Sequence, residues 1–346
     1  MSAGMFQRDK QTGIEMGWHK STDVVETVTR ERAFPYQIIL AQLAFESEIG
    51  ESENEHHNFR HHGKWALPIA SDDGLPVGNE TPVNTETYSL QTPQMCWDYK
   101  DKVLAGTGHQ VASAGTVHNR GKFYISTKLN EIEELELEDG SAIQLYFNIM
   151  GSLDKTMKFK LCKSTTRIVC QNTLMADFMA TNKDLNIVLK HTKNMNREVE
   201  ASLTLAEEAV GYSQIVKQTF NNLINTPCNK DRANRIYTGF LVNEIEKTTK
   251  TKVEEISTKL QTQIDEHTEC FYTGDGNNGE TEFDLLNGFT QLRTRGFESS
   301  EKDDWKIFES SEFGTYGQQK VRFAELLTTK RENLSEIEEK GMELVG

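Results

Sequence analysis

Three stretches in the middle of the chain alternate apolar and polar residues, and this constrains the fold more than any other feature. Over residues 122–129, Phe123, Ile125 and Leu129 fall on one side of an extended chain, with Lys122, Tyr124, Ser126 and Lys128 on the other. Over residues 143–149, Ile143, Leu145, Phe147 and Ile149 oppose Gln144, Tyr146 and Asn148; over 157–162, Met157, Phe159 and Leu161 oppose Lys158 and Lys160. A period of two places successive side chains on opposite faces of a strand. Asp139-Gly140 and Gly151-Ser152 supply turns in the gaps. The pattern predicts an antiparallel meander, covered on its apolar side and open to solvent on the other.

The flanks read differently on the two sides. Five of the six prolines lie at or before Pro93, so the first hundred residues are expected to be rich in strands and turns. Extended pieces are expected over 37–45, 64–69 and 86–90, an exposed hairpin loop over 46–63 and a helix over 95–104. After the meander, 165–172 leads into a helix over 173–180, and 185–191 reads as a further strand. From residue 194 the period becomes helical. Val199, Leu203, Ala206 and Val210 share a stripe that Val216, Phe220 and Leu223 continue past a phase slip near Gly211. A second long helix carries Ile245, Val253, Ile256, Leu260 and Ile264, with a polar outer face. Thr281 with Asp284 three residues on reads as an N-cap opening a helix to about Arg293, and residues 318–343 as one or two more, with Leu326, Leu334 and Ile337 inside. The fold class is α+β: a strand-rich region with a basic sheet face over 1–193, and a mainly helical region over 194–346.

At 346 residues the chain is long enough to bury a sizeable core, and 36% hydrophobic with 26% charged residues is a globular composition. No run of 18 apolar residues occurs, so no membrane span is expected, and residues 1–20 hold no apolar signal core. The cysteines, Cys96, Cys162, Cys170, Cys228 and Cys270, are odd in number, and none forms a C-x-x-C pair. They read as reduced, packed thiols.

Charge is distributed in blocks. The net charge is −15, yet residues 155–197 carry nine basic and two acidic side chains, against −11 on each flank. The plainer reading is internal counter-charge, the basic strip pairing with acidic helices of the same molecule. The functional reading is a seat for a phosphate backbone. The polar side of the meander collects Lys122, Lys128, Lys158 and Lys160 with Tyr124 and Tyr146, and Lys163, Arg167, Lys190, Lys193 and Arg197 flank it in sequence. Lysines neutralise phosphates, and tyrosine rings stack on unpaired bases. No helix presents the row of basic and amide side chains that a duplex major groove takes. The junction at 165–174 offers a second phosphate seat, where a helix N-terminus leaves amides unpaired; the alternative is that Asn172 or Thr173 only caps that helix.

Other motifs carry less. Residues 55–62 hold four of the nine histidines, with His57 and His61 at helical metal-ligand spacing, but the loop setting makes a pH-sensitive surface the default. Residues 274–279 fit G-x-G-x-x-G by letter, but a helix precedes them and Asp275 and Glu280 would repel a pyrophosphate, so a flexible connection is expected. There is no P-loop and no G-x-S-x-G elbow. No catalytic residue, metal or cofactor is expected.

Several segments together carry a resemblance: Arg167-Ile168-Val169-Cys170-Gln171-Asn172-Thr173-Leu174, Val188-Leu189-Lys190-His191-Thr192, the stretch from Thr281 to Thr290, Glu312-Phe313-Gly314 followed by Lys320, and the early Gly17-Trp18-His19. Their order and spacing resemble the phage/plasmid-like protein family, a group of unknown function carried by mobile elements. Gln291-Leu292-Arg293 stands where relatives often carry an acidic–aromatic segment and a histidine, so a role for that histidine does not carry over. The resemblance implies a mobile-element origin and the host cytoplasm, and no chemistry. The strand–strand–strand–helix order is similar in outline to phage single-strand annealing recombinases. The leading expectation is a non-enzymatic protein that binds single-stranded DNA or RNA as a homo-oligomer, in annealing or recombination. The alternatives are an accessory factor that docks on a host or phage protein and a metal-dependent nuclease using the histidine loop.

Overall fold

The computed structural model describes residues 5–8, 15–18, 29–34, 36–45, 60–70, 81–83, 90–103, 110–117, 122–129, 135–153, 157–167, 173–175, 187–189, 209–295, 310–311 and 314–345. Its centre is an antiparallel sheet. The alternating segments form β7 (Lys122–Lys128), β9 (Ala142–Ser152) and β10 (Phe159–Arg167), side by side in the order expected of a meander. The sheet continues through β6 (Gln110–Val117) beyond β7 and β11 (Thr173–Met175) beyond β10. The short strands β8 (Leu135–Glu136) and β12 (Ile187–Leu189) add to β9 and β10. Asp139 makes the turn before β9: its carboxylate accepts from the Ser141 N–H at 2.9 Å, and Gly140 takes the left-handed φ of 77°. Gly151 stands opposite Phe123, and its missing side chain leaves room for the ring.

The earlier strands form separate small sheets. β1 (Met5–Arg8) pairs with β2 (Glu15–Trp18), and β3 (Tyr36–Phe45), β4 (Arg60–Ala70) and β5 (Thr81–Val83) make an antiparallel set. The extended pieces expected over 37–45 and 64–69 lie in β3 and β4, while nearly all of 86–90 lies outside the described residues. α1 (Arg30–Ala33) is one turn; α2 (Pro93–Val103) is the helix read from 95–104. The apolar side of the sheet, with Phe123, Ile125, Leu145, Ile149, Phe159 and Leu161, belongs to one buried cluster that runs on into the helices.

Those helices are α3 (Ala209–Ile224), α4 (Lys230–Thr249), α5 (Thr258–Thr273), α6 (Glu282–Arg295), α7 (Thr315–Leu327) and α8 (Leu334–Val345). The N-cap read at Thr281 forms a capping box: Thr281 Oγ1 accepts from the Asp284 N–H, and the Asp284 carboxylate accepts from the Thr281 N–H. Two expectations fail. The single long helix through 245–264 is two, α4 and α5. Lys250 takes a left-handed φ of 60°, the Glu246 carboxylate accepts from the Val253 N–H at 2.9 Å, and Ser257 caps α5. The helix expected over 173–180 begins instead as β11, where Thr173, Leu174 and Met175 pair with Thr166, Thr165 and Ser164; residues 176–180 lie outside the described residues. The open edge of β10 supplies hydrogen-bond partners that a short polar segment takes before it can nucleate a helix. Among the described residues, no helix is long and apolar enough to cross a membrane.

α4 holds the helical half together. Tyr237 stacks on His267 at 5.1 Å, His267 on Phe289 at 4.8 Å and Phe289 on Phe323 at 4.2 Å, joining α4, α5, α6 and α7 in one aromatic column. Tyr237 donates its hydroxyl to the Leu285 carbonyl at 2.7 Å. Burial, and then the charge of Arg293, hold the His267 imidazole well below its ordinary range, so it stays neutral in the fold. The unfolded chain takes up a proton at this histidine near pH ~6.5 and the native protein does not. Its contribution to stability is therefore complete above that pH and is lost as pH falls below it. Thermal unfolding from pH 7.5 to 5.5 is expected to show stability declining by up to ~1.4 kcal/mol per unit below pH ~6.5. His267→Phe, which keeps a stacked ring, should show a shallower decline over the same range.

Candidate functional site

The register aligns the expected basic face. Lys122 stands opposite Ser152, Tyr124 opposite Met150, and Lys128 opposite Tyr146; across β9, Lys160 also stands opposite Met150. The even positions of β7, β9 and β10 thus share one face. Lys158, two residues before Lys160, is exposed, while Lys122, Lys128, Tyr146 and Lys160 are half-buried. Neither Lys158 nor Lys160 takes part in an ion pair among the described residues.

Part of the expectation does not survive. This face is not an open, solvated surface. Tyr124 is 6% exposed, which removes its ring as a platform for an unpaired base, and Gln144 and Asn148 are buried with it. Polar residues on the second face of a sheet need not face water when they find partners inside, and the Gln144 amide donates to the carbonyls of Leu129 and Leu145. Lys163 and Arg167 stand opposite Phe147 and Ile143, at odd positions out of step with Lys158 and Lys160. The second phosphate seat, at 165–174, has no helix N-terminus among the described residues, where Thr173 opens a strand; residues 168–172 lie outside them. Lys190, Lys193 and Arg197 lie outside the described residues.

The other motifs resolve structurally. His61 and His62 lie in β4 rather than on a helix; His56 and His57, and with them the expected pairing of His57 with His61, lie outside the described residues. The loop at 274–279 is ordered around an internal anion rather than being a flexible connection. Gly276 and Gly279 take left-handed φ values of 77° and 73°, and the N–H groups of Asn278, Glu280 and Thr281 all donate to the Asp284 carboxylate. Among the described residues no disulfide forms: Cys96, Cys162 and Cys228 are buried and Cys270 is half-buried, while Cys170 lies outside them. Burial pushes the Cys228 thiol up to about 12, away from thiolate chemistry.

Ionic side chains buried in the helical half escaped the sequence reading. Arg322 holds the Glu244 carboxylate at two points, its Nε 3.0 Å from Oε1 and 3.1 Å from Oε2. Lys320 is buried, donating to Ser311 Oγ at 2.7 Å and Thr294 Oγ1 at 3.3 Å. Glu282, in the first turn of α6, meets Arg331 and Arg232. Each sits on or next to an apolar stripe, as Lys320 does three residues before Phe323, and that placement is the available sequence signal.

The match to known families covers both halves. The domain of unknown function DUF932 matches residues 82–311, most of the chain. The chain belongs to the DUF932 family. The DUF932 region starts within β5 and ends at Ser311, so it takes in the meander and α3 to α6 as one unit. No curated protein and no solved structure matches the chain.

Proposed function

We propose that this DUF932 protein is a non-enzymatic single-stranded nucleic-acid-binding protein of a phage or other mobile element, acting as an oligomer in strand annealing or recombination. One observation carries the reading: Lys160 lies on the same sheet face as Lys122, and the exposed Lys158 stands two residues before it, just outside β10, both Lys158 and Lys160 clear of carboxylates among the described residues. Strands ~4.8 Å apart with a rise of ~3.3 Å per residue put these ammonium groups within reach of successive phosphates of one strand. The half-buried Tyr146 remains the aromatic side chain nearest that role, beside Lys128. The overall charge of −15 does little to oppose a polyanion on this face, because salt near 0.15 M screens charges beyond ~8 Å.

Fluorescence anisotropy with a labelled oligothymidylate over a salt series tests this. Two phosphate contacts on a single strand, at Lys158 and Lys160, give a slope of about −1.4 in log K against log salt. The double variant Lys158→Gln, Lys160→Gln should flatten the slope by about 1.4 without unfolding the protein, since one side chain is exposed and the other half-buried. No binding by the wild type at low salt, or a slope unchanged in the variant, rejects the reading.

A further inference from the structure

The dipeptide Asn-Gly occurs twice in the chain, at Asn278-Gly279 and Asn287-Gly288. It is the asparagine context most open to self-modification, because glycine has no Cβ to keep its main-chain nitrogen away from the preceding side chain. The fold puts the two copies in opposite surroundings. Asn287 is buried in the interior of α6, where helical bonding engages the Gly288 N–H with the carbonyl four residues back. Asn278 is exposed, in the loop between α5 and α6. Its main-chain N–H is held by Asp284, but among the described residues neither its side-chain amide nor the Gly279 N–H makes a hydrogen bond. Gly279 itself is packed under the Tyr272 ring. Its φ is left-handed at 73°, and a Cβ there would stand 2.2 Å from Tyr272 Cδ1, so the loop holds glycine after Asn278.

We infer that Asn278 is a modification site, a self-deamidating asparagine whose conversion loosens the loop's hold on Asp284. The Gly279 nitrogen attacks Asn278 Cγ. A bond forms between them, the bond from Cγ to the amide nitrogen breaks, and ammonia leaves with the proton of the Gly279 N–H. Water then opens the succinimide. Attack at the side-chain carbonyl gives aspartate, and attack at the main-chain carbonyl gives isoaspartate. Nothing is oxidised or reduced, and water is the co-reactant. Either product puts a carboxylate where a neutral amide stood. The N–H groups of Asn278, Glu280 and Thr281 converge on the Asp284 carboxylate. A second anion beside it, or the extra main-chain carbon that isoaspartate inserts after residue 278, weakens that convergence. Asp284 also shares the capping box with Thr281, so the change reaches the start of α6.

Incubation of the folded full chain at mildly alkaline pH, then cleavage after glutamate and mass spectrometry, tests the assignment. Glu280 and Glu282 lie between the two asparagines, so the peptides separate them. Loss of ammonia and gain of water is expected at Asn278, at least about tenfold faster than at Asn287, whose helix must first open locally. Exchange of the loop amides that donate to Asp284 should be roughly fivefold faster after conversion, the effect of about one hydrogen bond. Asn278→Ser, a substitution at an exposed position, should pass through the same incubation with its loop exchange unchanged. No conversion at Asn278 in the folded protein, equal rates at the two asparagines, or unaltered loop exchange after conversion overturns the assignment. The oligothymidylate assay reads the sheet face, so either proposal can fail alone.

Discussion

Gly341→Ala is expected to loosen α8 from α4, at a cost of about 3 kcal/mol, the upper part of the overpacking range. The two helices meet through glycine on both sides. A Cβ built at Gly341 would stand 1.9 Å from the Arg235 carbonyl oxygen, and one at Gly239 would stand 1.9 Å from the Ile337 carbonyl oxygen. In each case the obstacle is backbone, which cannot rotate aside as a side chain can. The helices must separate or tilt, and Leu334 and Ile337 then lose the cover that keeps them buried. The ion pairs that Glu338 makes with Arg232 and Arg235 lie in the same seam and would stretch with it. Hydrogen exchange provides the readout, with amides of α8 exchanging faster in the variant while those of β7, β9 and β10 hold. Gly140→Ala is the contrasting case. No atom lies within 4 Å of the added carbon, so only the left-handed turn is strained, at about 1 kcal/mol. Similar losses from the two substitutions would remove the case for close backbone approach at Gly341.

Some parts of the structure could be read from the chain and others could not, for separable reasons. The meander was legible because its signal is local: Phe123, Ile125, Leu145 and Ile149 alternate with polar residues, and Asp139-Gly140 turns the chain between them. The start of α6 was legible for the same reason, since Thr281 and Asp284 cap each other within four residues. The break between α4 and α5 depends on Glu246 capturing a backbone N–H seven residues away, and no periodicity records that contact. β11 is extended because the edge of β10 is beside it, which is likewise a non-local cause. At the candidate site the sequence grouped lysines by proximity along the chain, whereas the pleat sorts them by parity. Lys160 keeps company with Lys122, and Lys163 and Arg167 take the alternate positions. Burial of Tyr124 was hidden too, because alternation gives the side a residue faces and not what lies over it.

Glu282→Ala is expected to destabilise the helical half by about 3 kcal/mol, the low end for removing one partner of a buried ion pair, because both arginines keep some water. The Glu282 side chain is fully buried. Its carboxylate receives Arg331 at two points, Nη1 to Oε2 at 2.6 Å and Nη2 to Oε1 at 2.9 Å, and Arg232 Nη1 at 2.8 Å. It also lies in the first turn of α6, where the helix dipole favours an anion. Removing it leaves two guanidiniums facing each other across an apolar side chain, and among the described residues Arg232 keeps its Glu338 carboxylate and the Pro227 carbonyl. Glu282→Gln separates charge from shape: it retains the bulk and a hydrogen-bond acceptor but leaves a net positive cluster, so an intermediate loss of about 2 kcal/mol is expected. Urea denaturation of the two variants beside the wild type measures both values. The arrangement also bears on the extent of the folded unit. Glu282 lies inside the DUF932 match, while Arg331 and Glu338 lie beyond its end at residue 311. The carboxylate that opens α6 is thus neutralised from both sides of the family boundary, by Arg232 within it and Arg331 beyond it, and the fold of this chain depends in part on the turn before α8. Glu282→Ala with no measurable loss would refute that dependence and leave the segment after 327 as an appendage to the matched region.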